Sequence, residues 1–164
     1  MKKSSKERDL GVIVDDSMKF SEQCNVAVKS ANSMLGLIRR SIKFKSKDII
    51  VKLYKGLVRP KLVYCVQAWC PYLKGGIKNL EKIQRRATKM INGCKELKYS
   101  DTLAVTRLTS LEDRRIKSDL IEVFKMIKGI STVDYRSWFT LEENNRTRGH
   151  KYKLMKSRTK SAVR

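Results

Sequence analysis

The sequence has little of what a catalytic or metal-binding site needs. It contains one histidine, His150, and no Cys-x-x-Cys pair, whereas structural zinc sites combine closely spaced cysteine and histidine ligands. It also has no glycine-rich phosphate loop and no nucleophile paired with a base. The sequence therefore predicts no catalytic residue, no metal ligand, no cofactor and no small-molecule substrate.

Long hydrophobic runs are also missing. No run reaches the ~18 apolar residues that span a bilayer, and the N-terminal sequence MKKSSKERDL has no apolar signal core. The two prolines and eight glycines are too few for a linker-like chain. We therefore expect an intracellular protein, nuclear or cytoplasmic, that is neither secreted nor inserted in a membrane.

The four cysteines are Cys24, Cys65, Cys70 and Cys94. An even number fits a disulfide framework, but such frameworks belong to short secreted domains. We predict free thiols that are buried or half-buried.

Acidic residues are scarce relative to basic ones. The chain has 38 Lys and Arg against 16 Asp and Glu, which gives a formal net charge of +22. A charge of this size repels itself in a compact fold and attracts a polyanion. Nucleic acid is the simplest such partner, and an anionic membrane surface is the competing one. We expect non-specific contact with an RNA, DNA or hybrid backbone.

Hydrophobic periodicity predicts a mainly α-helical fold. We expect a helical bundle of about five to six helices, with a short N-terminal β-like segment in DLGVIVDD and a basic C-terminal tail. On this basis the chain of 164 residues has three parts: a segment at 1–20, one helical domain at 21–139, and a tail at 140–164. The tail is expected to be mobile. Residues 1–8 are expected to be frayed.

Start and stop signals divide the domain into helices. The first helix is predicted from Ser21 to Arg39–Arg40, and the second from Ser46 until Pro60 interrupts it. Later helices are expected to begin at Tyr99 and at Ser110, where the sequence Ser110-x-Glu112-Asp113 is close to a capping box. Asp134 is expected to cap a short turn. The helix after Ser110 carries a predicted inward stripe of Ile116, Leu120, Val123, Phe124 and Ile127.

The segment LVYCVQAWC has two interpretations. Its length and β-branched content allow a buried strand, but no clear sheet partner is near. A buried helix with Pro60 in its first turn fits better. In that helix Tyr64 and Trp69, together with Tyr72 just after it, would be core residues whose polar tips lie at the boundary, and not exposed platforms for base stacking.

One helix is expected to display a strongly basic face. After a loop at 71–76, Leu80, Ile83, Ala87, Met90 and Ile91 fall on one side of a helix at 100° per residue. That helix is predicted to end at a left-handed cap formed by Asn92–Gly93. The opposite side carries the candidate phosphate-binding residues Lys78, Lys82, Arg85, Arg86 and Lys89, with Glu81 at its edge.

The C-terminal tail supplies further candidate cations. From Asn144 onward there is no acidic residue. A tail of this kind suits phosphate contact. The candidates in this tail are Arg146, Arg148, Lys151 and Lys153.

The pair Asp15–Asp16 superficially matches a polymerase metal site. Two-metal catalysis needs carboxylates from separate elements around ions ~4 Å apart. No third carboxylate is suitably placed in the sequence, and Val14 occupies the preceding position. We interpret the pair as a turn.

Several segments, in order, resemble one family. They are DLGV, MLGLIRRS, LYKGLVRPKL, QAWCPYL, LEKIQRRATKMI and TRGH, and they extend from Asp9 to about Arg158. Together they resemble the thumb and post-palm region of LINE-type, jockey-like non-LTR retrotransposon reverse transcriptases. The resemblance implies a helical thumb and adjoining domain that hold the template–primer duplex while a palm domain synthesises DNA.

The resemblance also limits the activity that we expect of this chain. In the family the catalytic aspartates lie in an aromatic-x-Asp-Asp turn, which this sequence does not contain. The resemblance therefore implies a fragment of an RNA-directed DNA polymerase that is not an enzyme as this chain and that binds nucleic acid at most. One alternative is a truncated gene model of an active reverse transcriptase, whose palm would be missing. Another is an inert structural remnant.

Overall fold

The computed structural model is mainly helical and includes one short β-sheet. This confirms the predicted fold class. By contacts the chain divides into two compact units, Met1–Lys117 and Ser118–Arg164. The structure describes residues 5–17, 19–142, 150 and 152–155.

The sheet is a two-stranded antiparallel hairpin of β1 (Lys6–Asp9) and β2 (Val12–Asp15). Leu10 and Gly11 form its two-residue turn with positive φ angles of 42° and 85°, as type I′ turns require. Residues 6–8 were predicted to fray, but pairing with β2 orders them. Leu10 was assigned to the β-like run, and instead its side chain is 83% exposed at the turn.

The first helix, α1 (Ser21–Ser41), matches its prediction. Arg39 and Arg40 lie in its last turn, where cations favour the negative end of the helix dipole. Its buried apolar residues recur at helical spacing. They are Cys24, Ala27, Ala31, Leu35 and Ile38.

The predicted interruption at Pro60 is absent. Helix α2 (Lys47–Leu53) continues through a π-helical segment (Tyr54–Val58) into α3 (Arg59–Val63). The Arg59 N–H donates to the Tyr54 carbonyl, five residues back. Pro60 has no N–H, and its ring would clash with the carbonyl four residues earlier in an α-helix. The wider π turn accommodates the proline without ending the helix.

The segment LVYCVQAWC is neither a strand nor one continuous helix. The chain leaves the helical conformation at Tyr64, Cys65 is left-handed with φ of 52°, and α4 (Val66–Trp69) is a single turn. Trp69 is fully buried, as predicted, and its Nε1–H donates to the Tyr64 carbonyl at 2.7 Å.

Two tyrosines of this region were wrongly placed in the core. Tyr64 and Tyr72 are both more than half exposed. The break at Tyr64–Cys65 turns Tyr64 outward, where its hydroxyl donates to the Leu10 carbonyl at 3.1 Å.

Helix α5 (Lys74–Lys89) begins inside the predicted loop. Gly76 was expected to turn the chain, but it lies in the helix, where any Cβ would sit 3.2 Å from Pro71 Cβ and 3.4 Å from Cys24 Sγ. Glycine thus allows α5 to start close to α1. The helix ends at Lys89, before the predicted cap, although Gly93 does take a positive φ of 82°.

Helices α6 (Tyr99–Thr106) and α7 (Leu111–Ile127) follow. The predicted cap at the start of α7 is confirmed in part, because Ser110 Oγ accepts from the Asp113 N–H at 3.0 Å. The Asp113 carboxylate accepts from the Ser110 hydroxyl at 2.7 Å, and not from the Ser110 backbone N–H as a full capping box requires.

The predicted inward stripe of α7 is wrong. Ile116, Leu120 and Phe124 are each at least half exposed, and Val123 and Ile127 are only half-buried. Among the described residues, the last buried hydrophobic side chain is Leu111. Helical periodicity identified an apolar face, but periodicity does not supply a surface to cover it.

The unit that begins at Ser118 contains a 3-10 turn at Tyr135–Ser137, capped as predicted by Asp134, whose Oδ1 accepts from the Arg136 N–H at 3.0 Å. The tail from residue 140 was expected to be mobile without a strand partner. Leu141 and Leu154 in its described part form an antiparallel bridge, so a pairing partner is present there, and the mobility of the tail stays a prediction. Expectations for residues 143–149, 151 and 156–164 lie outside the described residues.

Arg115 on α7 is the least expected member of the interior. Only 3% of its surface is exposed, and neither Nη1 nor Nη2 has a hydrogen-bond partner among the described residues. Burying an uncompensated guanidinium costs several kcal/mol. The Arg115 side chain therefore opposes folding at this position.

We expect Arg115→Met to raise the free energy of unfolding by about 1–4 kcal/mol, because methionine keeps an apolar stem and removes the buried charge. Denaturant titration measures the change, and exposed Arg114→Met is the matched control, expected within about 0.5 kcal/mol of the wild type. A destabilised Arg115→Met protein would contradict the expectation.

The cysteines are free, as predicted, but they differ in exposure. Cys24 and Cys94 are buried, Cys70 is half-buried, and Cys65 is exposed, contrary to the prediction. Burial raises the pKa of the Cys24 thiol above its ordinary value, so less of the reactive thiolate is present at any given pH.

We therefore expect alkylation of Cys24 to be at least about tenfold slower than that of Cys65 in the native protein. Peptide mass spectrometry after timed alkylation measures both rates. In denaturant the two rates should converge, and equal rates in the native protein would show that Cys24 is accessible.

Candidate nucleic-acid interface

The predicted basic face forms on α5. Lys78, Lys82, Arg85, Arg86 and Lys89 are all exposed, while Leu80, Ile83 and Ala87 on the opposite side are buried in the core. The cations therefore share one solvent-facing side of a helix that is anchored by its apolar side. At 1.5 Å rise per residue they extend over about 16 Å.

Two of the five cations are held in place by neighbours. The Arg85 guanidinium lies over the Tyr99 ring, 4.4 Å from its centroid, and Arg86 Nη1 donates to Asn32 Oδ1 on α1 at 2.9 Å. Lys78, Lys82 and Lys89 make no hydrogen bond or ion pair within the described ranges. The face thus combines positioned guanidinium groups with ammonium groups that are available to a ligand.

Glu81, the one acidic residue of α5, does not dilute this face. Its carboxylate accepts from the Leu111 N–H at the start of α7, at 3.0 Å to Oε2, and from the Tyr99 hydroxyl. A carboxylate at a helix N-terminus is favourable, because unpaired N–H groups and the helix dipole both attract it. Glu81 therefore links α5, α6 and α7, and among the described residues it forms no ion pair with the neighbouring cations.

A buried polar network continues from Glu81 beneath the basic face. Gln84 is 1% exposed, and its Oε1 accepts from the Tyr54 hydroxyl at 2.6 Å. Its Nε2 donates to the Tyr99 hydroxyl at 3.0 Å and to the Thr109 carbonyl at 2.9 Å. The amide uses both its acceptor and its donors, so Gln84 joins four parts of the chain at one point.

The two phenols of this network stay protonated at ordinary pH. Burial, as the largest cause, raises the pKa of both Tyr54 and Tyr99 above the ordinary value, and the Glu81 charge adds to it. Both hydroxyls therefore remain hydrogen-bond donors. At 100° per residue Gln84 lies beside Leu80 and Ile91 on the apolar side of α5, which is a sign of burial that our sequence-based prediction did not use. Its partners Tyr54, Tyr99 and Thr109 come from other segments, so periodicity within α5 does not identify them.

Two basic clefts flank the α5 ridge. One, of about 1080 Å³, lies between α1 and the end of α5, and the other, of about 630 Å³, lies between α5 and α6. Arg86 and Lys89 line both clefts. The first is also lined by Arg39, Lys45 and Lys95, which sequence reasoning did not select.

The tail candidates belong to the second compact unit, Ser118–Arg164. Arg146, Arg148 and Lys151 lie outside the described residues. Lys153 is half-buried, and its carbonyl accepts from the Glu142 N–H at 2.8 Å. Their role in phosphate contact stays a prediction.

The aspartate pair was predicted to be a turn, but Asp15 ends strand β2 and only Asp16 lies in the turn that follows. Asp15 Oδ1 accepts from Ser17 Oγ at 2.6 Å, and this bond is the largest cause that lowers the pKa of Asp15. Within the described residues no three His, Cys, Asp or Glu side chains are grouped to hold a metal ion. No helix in that same part of the chain is long and apolar enough to cross a membrane.

Comparison of the chain with protein-family models, with curated proteins and with solved structures finds no match.

Proposed function

We propose that this chain binds nucleic acid non-specifically by gripping the phosphate backbone of a duplex with the exposed face of α5. The observation that carries the proposal is the set of five exposed cations on one anchored helix whose only acid is bound to the start of α7. The net charge of +22 attracts any polyanion, but α5 places five cations side by side on a helix that is anchored in the core.

The dimensions of this face suit a duplex. Duplex DNA carries one charge per ~1.7 Å of axis, so the ~16 Å from Lys78 to Lys89 matches several phosphates. Three to five contacts would give a slope of log affinity against log salt concentration of roughly −3 to −4. Contacts of this kind hold and orient a duplex but do not read its sequence.

The family resemblance supports the same proposal. In the non-LTR retrotransposon polymerases that the chain resembles, the corresponding region is expected to hold the template–primer. The proposed activity of these residues is that grip, and no step of DNA synthesis is assigned to them.

The exposed apolar face of α7 favours a second candidate function, in which the chain packs on a separate protein domain such as a polymerase palm. Leu120, Ile121 and Phe124 are all at least half exposed. Gel filtration and thermal melting distinguish the two, because a nucleic-acid binder that folds alone stays monodisperse whereas an unpartnered remnant aggregates.

The proposed function is tested by measuring the affinity of the intact chain for a DNA duplex, an RNA hairpin and an RNA–DNA hybrid at several salt concentrations. We expect a log–log slope of about −3 or steeper and similar affinities for duplexes of unrelated sequence. Absence of binding, or binding that ignores salt, would refute the proposal.

A further inference from the structure

The larger basic cleft differs in shape from the convex face of α5. One wall is α1, through Leu35, Gly36 and Arg39, and the other is the end of α5, through Arg86 and Lys89. The hydrogen bond from Arg86 to Asn32 joins the walls, and the Asn92 N–H donates to the Lys45 carbonyl at 3.1 Å. These bonds and the core beneath them hold the cleft open in one shape.

The charge of this cleft selects an anion. Its lining contains five cations, Arg39, Lys45, Arg86, Lys89 and Lys95, against one acid, Glu96. Leu35 and Ile91 are largely buried beneath it, and none of the described residues that line it is aromatic. The cleft therefore offers contacts to successive phosphates and no platform on which bases would stack.

The width of the cleft argues against a duplex as its ligand. Packed helices such as α1 and α5 have axes ~8–10 Å apart. The major groove of DNA alone is ~12 Å wide, and duplex DNA is stiff over ~150 base pairs. A duplex therefore rests more readily on the convex α5 ridge than in a concavity between two packed helices. An unpaired strand is narrower and flexible enough to follow it.

We propose that the cleft between α1 and the end of α5 binds the phosphates of an unpaired nucleic-acid strand next to the duplex held on α5. Arg86 and Lys89 belong to both surfaces, so a strand leaving the duplex passes directly from the ridge into the cleft. This inference rests on the proposed function for the position of the duplex, while the cleft itself stands on its own lining.

The test compares a blunt duplex with the same duplex carrying an unpaired ten-thymidine overhang. The wild-type chain should bind the overhang form at least about fivefold more tightly, with a log–log salt slope steeper by roughly 2, as three single-strand phosphate contacts predict. The cleft variant Arg39→Gln/Lys45→Gln/Lys95→Gln changes no residue of α5. It should bind the blunt duplex like the wild type and lose the overhang gain.

Three results would overturn the inference. They are no overhang gain in the wild type, an unchanged gain in the cleft variant, and an equal fall in affinity for both ligands, which would mean that the cleft only contributes net charge. A second variant, Arg39→Gln/Lys95→Gln, changes only exposed side chains and repeats the comparison if the triple variant melts early.

The failure of the proposed function has a separate signature. If the blunt duplex does not bind but a single strand binds through the cleft residues, the duplex grip is refuted and the cleft assignment stands. If the blunt duplex binds through α5 without any overhang gain, the proposed function stands and the cleft assignment fails.

Discussion

Replacing Lys78, Lys82 and Lys89 by glutamine is expected to weaken duplex binding by about two orders of magnitude at ~0.1 M salt and to make the log–log salt slope shallower by about 2 to 3. The physical reason is counterion release, since each lysine that neutralises a phosphate frees roughly one condensed cation. Glutamine keeps a high helix propensity, so α5 is expected to stay folded. Electrophoretic or fluorescence titrations across salt concentrations measure both quantities.

The structure offers a matched control for this variant. Lys47, Lys52 and Lys55 are also exposed and lie around α2 and the π-helical segment, lining a cleft that contains no residue of α5. Changing these three to glutamine removes the same charge and should alter the slope by less than about 1. Equal effects of the two variants would mean that net charge, and not the α5 face, governs binding.

The choice of lysines follows from the contacts of the arginines. Arg85 covers the Tyr99 ring and Arg86 is bonded to Asn32, so their removal would mix lost packing with lost phosphate contact. The three lysines make no such contacts among the described residues. Their variant therefore reports on binding alone.

Gln84→Leu is expected to lower the free energy of unfolding by about 1–3 kcal/mol, although leucine is the more hydrophobic residue and is similar in size. The substitution leaves the buried Tyr54 hydroxyl without its partner inside the fold, whereas the carbonyl of exposed Thr109 can accept from water instead. Each buried group that loses its only hydrogen bond costs about 1–3 kcal/mol. Denaturant titration of the two proteins measures the difference.

A double-mutant cycle separates this loss from ordinary repacking. Tyr54→Phe removes the hydroxyl that donates to Gln84 Oε1. The double variant Tyr54→Phe/Gln84→Leu should therefore lose less free energy of unfolding than the two single variants lose in sum. A neutral Gln84→Leu, or strict additivity in the cycle, would show that the hydrogen bond between Gln84 and Tyr54 does not stabilise the fold.

The helical content and the basic face followed from local patterns. The apolar spacing of α1 and α5 depends only on residues within each helix, and it correctly indicated which side is buried. Because one side of α5 is fixed in the core, the exposure of Lys78, Lys82 and their neighbours follows. The site was predictable to this extent.

The remaining features depend on tertiary contacts that no local pattern encodes. Arg39 and Lys95 are far apart in sequence and line one cleft only because α1 packs against α5. Hydrogen-bond partners of Glu81 and Gln84 lie on α6 and α7, and no spacing within α5 identifies them. The apolar stripe of α7 fails for the converse reason, since its pattern is clear but no described surface covers it.

The π-helical segment also constrains how this sequence can change length. Each of its hydrogen bonds encloses one more residue than in an α-helix, which is the mark of a single-residue insertion absorbed within a helix. Deleting exposed Gly56 would restore α-helical spacing but turn the following residues by ~100°. Leu62, fully buried in α3, would then rotate out of the core.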